Sequence, residues 1–335
     1  MKKTLLSLLG LILAAPAFAQ KPDVPLVKVR YRFTHIRDTT QRDQPYTENM
    51  LLISGKNASV FTSYDAVQQA AELKRNLQEQ AKNQAANGGM VRLNINKSGM
   101  KPTSSIEYFL FAKENKFYTK ERVFNNYLIE EKTPEIDWKI SPDTSNIAGI
   151  SCQKASASFK GRNWTAWFAP DLPFQSGPWK LNGLPGLILA ANDDKNEVQF
   201  QFEGMEKVEK KAGDTKEEKS QRSGAGAAQP LMGGNGSISI QGASPMQIAN
   251  IGEGNDYSEE IRLPADAIKT SRKELDKLKE TRDKDPQGFL KSQLGGANVD
   301  VKVVGGMPMG AATANGTKLP AKQVLNNPIE LPEKP

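Results

Sequence analysis

The stretch that decides the fold is residues 177–189, which read GPWKLNGLPGLIL. Pro185 fixes φ at the second position of a turn, and Gly186 supplies the positive φ that the third position of a type II turn requires. The apolar residues that follow then begin a buried strand. The candidate structural motif consists of Gly183, Leu184, Pro185, Gly186, Leu187 and Ile188. None of these side chains can carry a proton or hold a metal, so the run predicts structure and not a reaction.

The residues around this run alternate between apolar and polar, as half-buried strands do. Before it, Trp164, Ala166 and Phe168 share one face of a strand, and after it 187–191 and 198–202 predict a hairpin. The same alternation predicts further strands at 27–35, 50–53, 59–61, 105–111, 116–122, 127–129, 154–159 and 237–240.

Two polar segments have the composition of helices, at 64–86 and at 265–282. The first of them can equally be read as a mobile polar insertion. The last residues, 326–331, predict an edge strand, where Pro328 is tolerated because it donates no ladder hydrogen bond. We therefore predict a mainly β fold (β-rich α+β), an antiparallel meander curved into an open barrel or half-barrel with one or two packed helices.

The amino terminus has the pattern of a cleaved signal peptide over residues 1–19. Lys2 and Lys3 precede an apolar stretch, and a small-x-small site ends at Ala19. The apolar stretch is shorter than the ~20 residues that cross a bilayer, which argues against a membrane anchor. No later segment approaches that length, so we expect no transmembrane segment after cleavage, and a location in the periplasm or at the outer membrane.

The remaining chain, 20–331, is predicted to be one domain with interruptions of polar composition. Insertions are expected at about 64–100 and 208–236, and a mobile Gly-rich stretch at about 292–320. Cys152 is the only cysteine, so no disulfide can form within the chain and packing must hold the fold. The net charge of +7 comes from interspersed charges of both signs, which argues against nucleic-acid binding and leaves weak attraction to an anionic membrane surface open.

A wider set of motifs gives the sequence a family resemblance. These pieces are 149–152, Lys154-Ala155, Phe159-x-Gly161-Arg162, Ala166-Trp167-Phe168, Gly177-Pro178-Trp179, the 183–188 run and Asn327-Pro-Ile-Glu-Leu331. Together they resemble the GLPGLI family of exported bacterial envelope proteins, over about half of the chain. The resemblance implies a family but no mechanism, because that family has no assigned function, catalytic residue or cofactor.

Candidate catalytic groups are few, and each has a structural alternative. Ser151 and Lys154 have the spacing of penicillin-binding serine enzymes, but a strand would turn their side chains apart. His35, the only histidine, is expected to be a hydrogen-bonded residue at the end of a strand. One His and one Cys cannot form the usual zinc sites. Residues 192–196 could supply oxygen ligands to calcium but are better explained as a hairpin turn. We therefore predict no catalytic residue, metal or cofactor.

The aromatic side chains offer the one candidate ligand site. All four tryptophans fall between Asp137 and Lys180. The residues in question are Trp164, Trp167, Phe168 and Trp179. Because Trp164 and Trp167 point to opposite faces of one strand, one face is expected to be core and the other to be either covered or a groove for an apolar or carbohydrate ligand.

Three functions remain open at this point. The first is a non-enzymatic binding or accessory protein that contacts an apolar envelope component or an envelope protein. The second is a hydrolase whose carboxylates meet only in the fold, which requires carboxyl groups with raised pKa values in a cleft. The third is a purely structural protein. The sequence indicates neither the partner nor the oligomeric state.

Overall fold

The structure is a computed structural model that describes residues 21–86, 92–96, 101–208, 237–241, 257, 259–285, 289, 302–304 and 325–332. Three sequence predictions lie wholly or largely outside the described residues: the signal peptide at 1–19, the insertion at 208–236 and the Gly-rich stretch at 292–320.

The described chain is dominated by strands. They are β1 (Val27–His35), β2 (Tyr46–Ser54), β3 (Ala58–Ser63), β4 (Arg92–Asn96), β5 (Ile106–Phe111), β6 (Lys116–Arg122), β7 (Asn126–Glu131), β8 (Lys139–Ile147), β9 (Ile150–Phe159), β10 (Arg162–Ala169), β11 (Leu187–Asp193), β12 (Val198–Lys207), β13 (Ser237–Gln241), β14 (Ile268–Lys269) and β15 (Lys302–Val304). The helices are α1 (Tyr64–Ala86) and α2 (Arg272–Lys284), with a 3₁₀ turn at Ala112–Glu114.

Twelve of these strands form one sheet in the order β14-β7-β6-β5-β3-β2-β1-β12-β11-β10-β9-β8. One side of β1 carries an antiparallel meander that runs to β7, and the other side carries a second meander, from β12 back to β8. The two outer ends, β14 and β8, do not pair with each other, so the sheet is open. The predicted mainly β fold with an open antiparallel sheet is confirmed. The strands β4, β13 and β15 form a separate three-stranded sheet.

The helix predictions are confirmed at one site and need correction at the other. Helix α1 occupies the predicted 64–86 span. The prediction of a helix from 265 is wrong at its start, because residues 268–269 form β14 and the helix begins at Arg272. Ser271 caps it: its hydroxyl accepts the backbone N–H of Glu274, whose carboxylate accepts the Ser271 backbone N–H. This capping box, and not the preceding proline, sets the start.

The largest apolar core lies on one face of the sheet, against β1, β2 and β9 to β12. The apolar side of β1 faces it, as the alternation predicts, with Val27, Val29 and Tyr31 fully buried. The Tyr31 hydroxyl donates a hydrogen bond of 2.7 Å to the carbonyl of Ile188, which ties the central strand to the 183–188 run. A second apolar cluster, around Phe109, forms on the opposite face under Tyr257, Ile261, Leu263 and Ala267.

The turn before β11 differs in type from the prediction. Gly186 has φ of 156° and its N–H donates to the carbonyl of Leu184 at 2.8 Å, which is a three-residue turn and not a type II turn. A Cβ at Gly186 would lie 2.7 Å from the carbonyl carbon of Ala169 and closer still to its oxygen. Glycine is therefore required by the close approach of two backbones. The predicted buried strand is confirmed: Leu187 pairs with Ala169, and Ile188 with Phe168.

Candidate functional site

The aromatic residues that sequence analysis singled out are placed mainly inside the protein. Trp164, Phe168 and Trp179 are 1%, 0% and 4% exposed, and Trp167 is half-buried against the same core. The rings of Trp164 and Trp179 lie 5.5 Å apart. Three of the four residues thus have almost no surface with which an external ligand could make contact unless the core moved.

A small cavity adjoins Trp179, between the sheet and the 177–182 loop. Its volume of about 10 Å³ is room for one water molecule, far below the ~300 Å³ or more of ordinary ligand pockets. The cavity is lined by Leu52, Ser59, Phe61, Tyr108, Leu110, Phe117, Gly177, Trp179, Leu181 and Asn182. The Trp179 indole N–H is buried there without a hydrogen-bond partner. The place can therefore take a bridging water, but not a sugar or a lipid chain.

Buried polar side chains gather instead at the ends of β1, β10 and β11. We call this group the Arg162 cluster; it comprises His35, Arg162, Asp193, Glu197 and Asn327, all at most 6% exposed. Arg162 Nη1 lies 2.7 Å from Asp193 Oδ2 and 3.5 Å from Glu197 Oε2. The second oxygen of Asp193 accepts the backbone N–H groups of Glu197 and Val198. Arg42 pairs with Glu197 at 2.8 Å, so two cations face two carboxylates.

The Arg162 cluster holds residues 325–332, which we call the C-terminal segment. Arg162 donates to the carbonyls of Pro328 and Ile329 at 2.7 and 2.9 Å, and the Arg37 carbonyl accepts the N–H groups of Asn326 and Asn327. The predicted edge strand at 326–331 is therefore wrong. The backbone of this segment is bound by a side chain and by single loop carbonyls, so no strand ladder forms.

Gly161 makes room for this docking. A Cβ on Gly161 would lie 2.7 Å from both the Cβ and the carbonyl oxygen of Leu331. Gly161 and Lys160 both have positive φ, which closes the two-residue hairpin between β9 and β10 and places Arg162 at the first position of β10. The Phe-x-Gly-Arg motif and the Asn-Pro-Ile-Glu-Leu motif, far apart in sequence, therefore contact each other.

A second group of charges, the Lys180 cluster, joins the other side of the C-terminal segment. It comprises Lys180, Glu131, Glu330 and Arg272. Lys180 is 6% exposed, and its Nζ lies 2.6 Å from Glu131 and 2.9 Å from Glu330. Burial alone would raise the pKa of Glu131, but hydrogen bonds from Lys180, Arg272 and Thr119 outweigh it and lower the pKa. Glu131 is therefore a carboxylate at neutral pH, and its role here is to pair.

The described residues give little support to acid–base or metal chemistry. Each described carboxyl group whose pKa departs from its usual value has a lowered pKa, as at Glu131 and Glu197, whereas a glycosidase acid needs a raised one. Within the described ranges, no three His, Cys, Asp or Glu residues cluster as metal ligands. Asp193, a candidate calcium ligand, is bound to Arg162. Lys154 pairs with Asp143 on the exposed side of β9.

His35 is held as expected, at the end of β1, with its Nε2 2.8 Å from the carbonyl of Asn327. Since a carbonyl only accepts, Nε2 must carry the proton of a neutral ring. Burial is the main reason that the pKa of His35 falls to about 4, and the charges of Arg37 and Arg162 lower it further, against the hydrogen bond to Asn327 and the charge of Glu197.

This lowered pKa predicts a pH-dependent stability. The unfolded chain protonates His35 near pH 6.5 and the folded chain only near 4, so stability is complete above pH 6.5 and is lost as the pH falls towards 4. The loss from this group should reach up to about 3 kcal/mol. Urea unfolding of the wild type and of His35→Gln, which keeps an N–H donor, should diverge over that interval. Parallel pH profiles for the two proteins would contradict the assignment.

Within the part of the chain that the structure describes, β8 pairs with one strand only, β9, which leaves its other edge free. Seven of the nine residues of β8 are exposed. A bulge at 141–143 interrupts the pairing between Ile140 and Thr144. Residues 148 and 149 form a two-residue turn with positive φ, so Ile147 and Ile150 exchange hydrogen bonds. The alternation of an antiparallel ladder then points the N–H groups of Thr144 and Asn146 outward.

The roles of Arg162 and Lys180, and strand β8, were not predicted from the sequence. The one local signal for Arg162 is its position as a charged residue at the start of an apolar strand, which is typical of a buried ion pair. Strand β8 has no apolar alternation, because both of its faces are exposed.

Comparison with known proteins adds a family of unknown function and no activity. Residues 158–190 match a family model described as "Protein of unknown function (Porph_ging)". No curated protein matches the chain. Among solved structures, the chain is similar to PNGF-II in the P21 space group, with TM-score 0.37 and 14% identity over 56% of this chain and 29% of that one. For PNGF-II in the C2 space group the TM-score is 0.38 and the identity 12%, over 56% of this chain and 28% of that one. The chain thus spans under a third of these proteins.

None of the helices in the described ranges is long and apolar enough to cross a membrane. Over residues 158–190, therefore, the chain is similar to a family of unknown function.

Proposed function

We propose that this protein is an exported, non-enzymatic accessory protein of the bacterial cell envelope that binds a protein partner along strand β8. The observation that carries the proposal is the free edge of β8, with the N–H groups of Thr144 and Asn146 unpaired by any described strand. Such an edge is a template to which an extended segment of another chain adds as a further strand.

The proposed export and the proposed family name are supported by the sequence. Lys2, Lys3 and the apolar stretch before Ala19 support a cleaved signal peptide and a periplasmic or outer-membrane-associated location. The matched segment 158–190 contains the Gly183–Ile188 run, which supports the GLPGLI resemblance as the finer family name.

A protein partner is favoured over an apolar ligand because the aromatic face is already filled. Trp164 and Phe168 pack in the core, and the cavity beside Trp179 has room for one water. A lipid or carbohydrate would have to displace these side chains, whereas a strand partner needs no rearrangement. The bulge at 141–143 and Pro142 blunt the first half of β8, so the stretch available for pairing is 144–147.

The test is to remove one outward N–H without changing the ladder to β9. Thr144→Pro deletes that donor at an edge position where proline is tolerated, and Thr144→Ala is the matched control that keeps it. With a photo-crosslinking residue at Ser145 in the native host, we expect one discrete crosslinked protein from the Ala variant and at least a tenfold weaker product from the Pro variant.

Two results would overturn the proposal. One is equal crosslinking of the Pro and Ala variants when both have the circular dichroism spectrum of the wild type. The other is the recovery of stoichiometric lipid from the purified protein by solvent extraction, which would restore the apolar-ligand hypothesis.

A further inference from the structure

The side chains that receive the C-terminal segment hold one another in place. Arg162 is fixed by Asp193 at 2.7 Å and Glu197 at 3.5 Å, and Glu197 is fixed in turn by Arg42. Asp193 is held by backbone N–H groups of the β11–β12 turn. None of these contacts involves the segment. The charged groups of the receiving surface therefore stay paired with one another when the segment leaves.

The segment is bound in the manner of a peptide ligand, through one anchor and one charge. The Asn327 side chain is buried; its oxygen accepts from Arg162 at 2.7 Å, and its Nδ2 donates to the Ile36 carbonyl at 2.7 Å and to Glu197 at 3.0 Å. Glu330 lies between Lys180 at 2.9 Å and Lys160 at 3.6 Å. The side-chain contacts thus select Asn and Glu in the pattern Asn-x-x-Glu.

The apolar side chains of the segment are not fully buried. Ile329 is half-buried against the core and Leu331 is half-buried beside Gly161, while Pro328 is exposed. The segment has no strand ladder, so its release breaks separate hydrogen bonds and ion pairs and leaves the twelve-stranded sheet intact.

We infer that the Arg162 cluster is a binding site for the Asn327–Glu330 segment of a second copy of this chain. Every copy carries both the receiving surface and the matching segment. In the closed form, the segment binds to its own chain. When two copies exchange segments, every contact of the closed form is made again between the chains. The free-energy cost of the exchange is therefore confined to association and to the path of the connecting chain. The exchanged form is therefore favoured as protein concentration rises.

Cysteine pairs in separate full-length chains test the exchange. The Leu331 N–H lies 3.0 Å from the Lys160 carbonyl, so Cys at both positions would be within disulfide range. Lys160→Cys and Leu331→Cys chains are purified separately, mixed at high concentration and oxidised. We expect a covalent heterodimer on a non-reducing gel. The matched control replaces Lys160→Cys by Lys139→Cys, on the exposed edge β8; the native Cys152 is buried and common to all chains.

Two further chains make each outcome decisive. Lys160→Cys with Leu331→Cys in one chain reports the closed form as an intrachain disulfide. Adding Asn327→Ala to the Leu331→Cys chain should reduce the heterodimer roughly tenfold, which would show that the anchor directs docking. The inference fails if the mixed chains give no more dimer than the Lys139→Cys control while the intrachain disulfide forms. It fails equally if no pairing forms in any chain.

Discussion

Replacing Arg162 by alanine should lower the free energy of unfolding by about 3 to 5 kcal/mol, the usual loss when one partner of a buried ion pair is removed. The change leaves Asp193, which is 1% exposed, without its counter-charge. It also leaves the carbonyls of Pro328 and Ile329 without their donor. Urea unfolding at pH 7, followed by the fluorescence of the buried tryptophans, measures the loss.

The matched control for this change is Arg32→Ala. Arg32 also pairs with a carboxylate at 2.8 Å, that of Glu203, but its side chain is 59% exposed. Solvent screens such a pair, so the expected loss is less than about 1 kcal/mol. Losses of the same size for the two variants would mean that the Arg162 cluster does not stabilise the fold in the way its burial indicates.

Gly186→Ala should destabilise the protein by about 3 kcal/mol, the upper part of the range for overpacking a closed site. The new Cβ would meet the backbone of Ala169 and, at 3.0 Å, the Cα of Pro170. Backbone atoms on a paired strand cannot move aside as a flexible side chain can. We therefore expect the end of the β10–β11 ladder to open, and thermal unfolding to report a lower midpoint.

Gly149→Ala separates this contact effect from the cost of an unusual backbone angle. Gly149 has φ of 84°, but a Cβ there would have no atom within 4 Å. Its replacement should cost only the left-handed penalty of roughly 1 kcal/mol. If both alanine variants lose the same free energy, the approach of the two backbones at Gly186 is not what requires glycine.

Local alternation was enough to predict most of the twelve-stranded sheet. In β1, apolar residues alternate with polar ones because one face of the strand is buried. The hairpin of β11 with β12 joins strands that are neighbours in sequence. Alternation in the sequence indicates both features directly. Helix α1 was predicted from another local property, its composition over a long span. Strand β8 could not be found in this way, because no face of it is buried.

The candidate site was harder to predict because its contacts join distant parts of the chain. Arg162 meets Asn327 and Lys180 meets Glu330, and no local pattern links the members of these pairs. The sequence left a covered face and a ligand groove as alternatives for the tryptophans, and in the fold Trp164 and Trp179 are buried. Gly186 was assigned to a turn type, whereas its requirement comes from the backbone of Ala169, at the end of the neighbouring strand β10.

The position of β1 between two meanders has a consequence for how fast the protein folds. Within each meander, most pairings join strands that are close in sequence, the pair β3–β5 being separated by α1 and β4, so both meanders can form early and independently. The ladder of β1 with β12 instead closes a loop that contains both meanders. We expect this closure to be the slow step, so that substitutions along β12 retard refolding. Substitutions in hairpin turns such as 148–149, which form before the closure, should also retard refolding and leave the unfolding rate nearly unchanged.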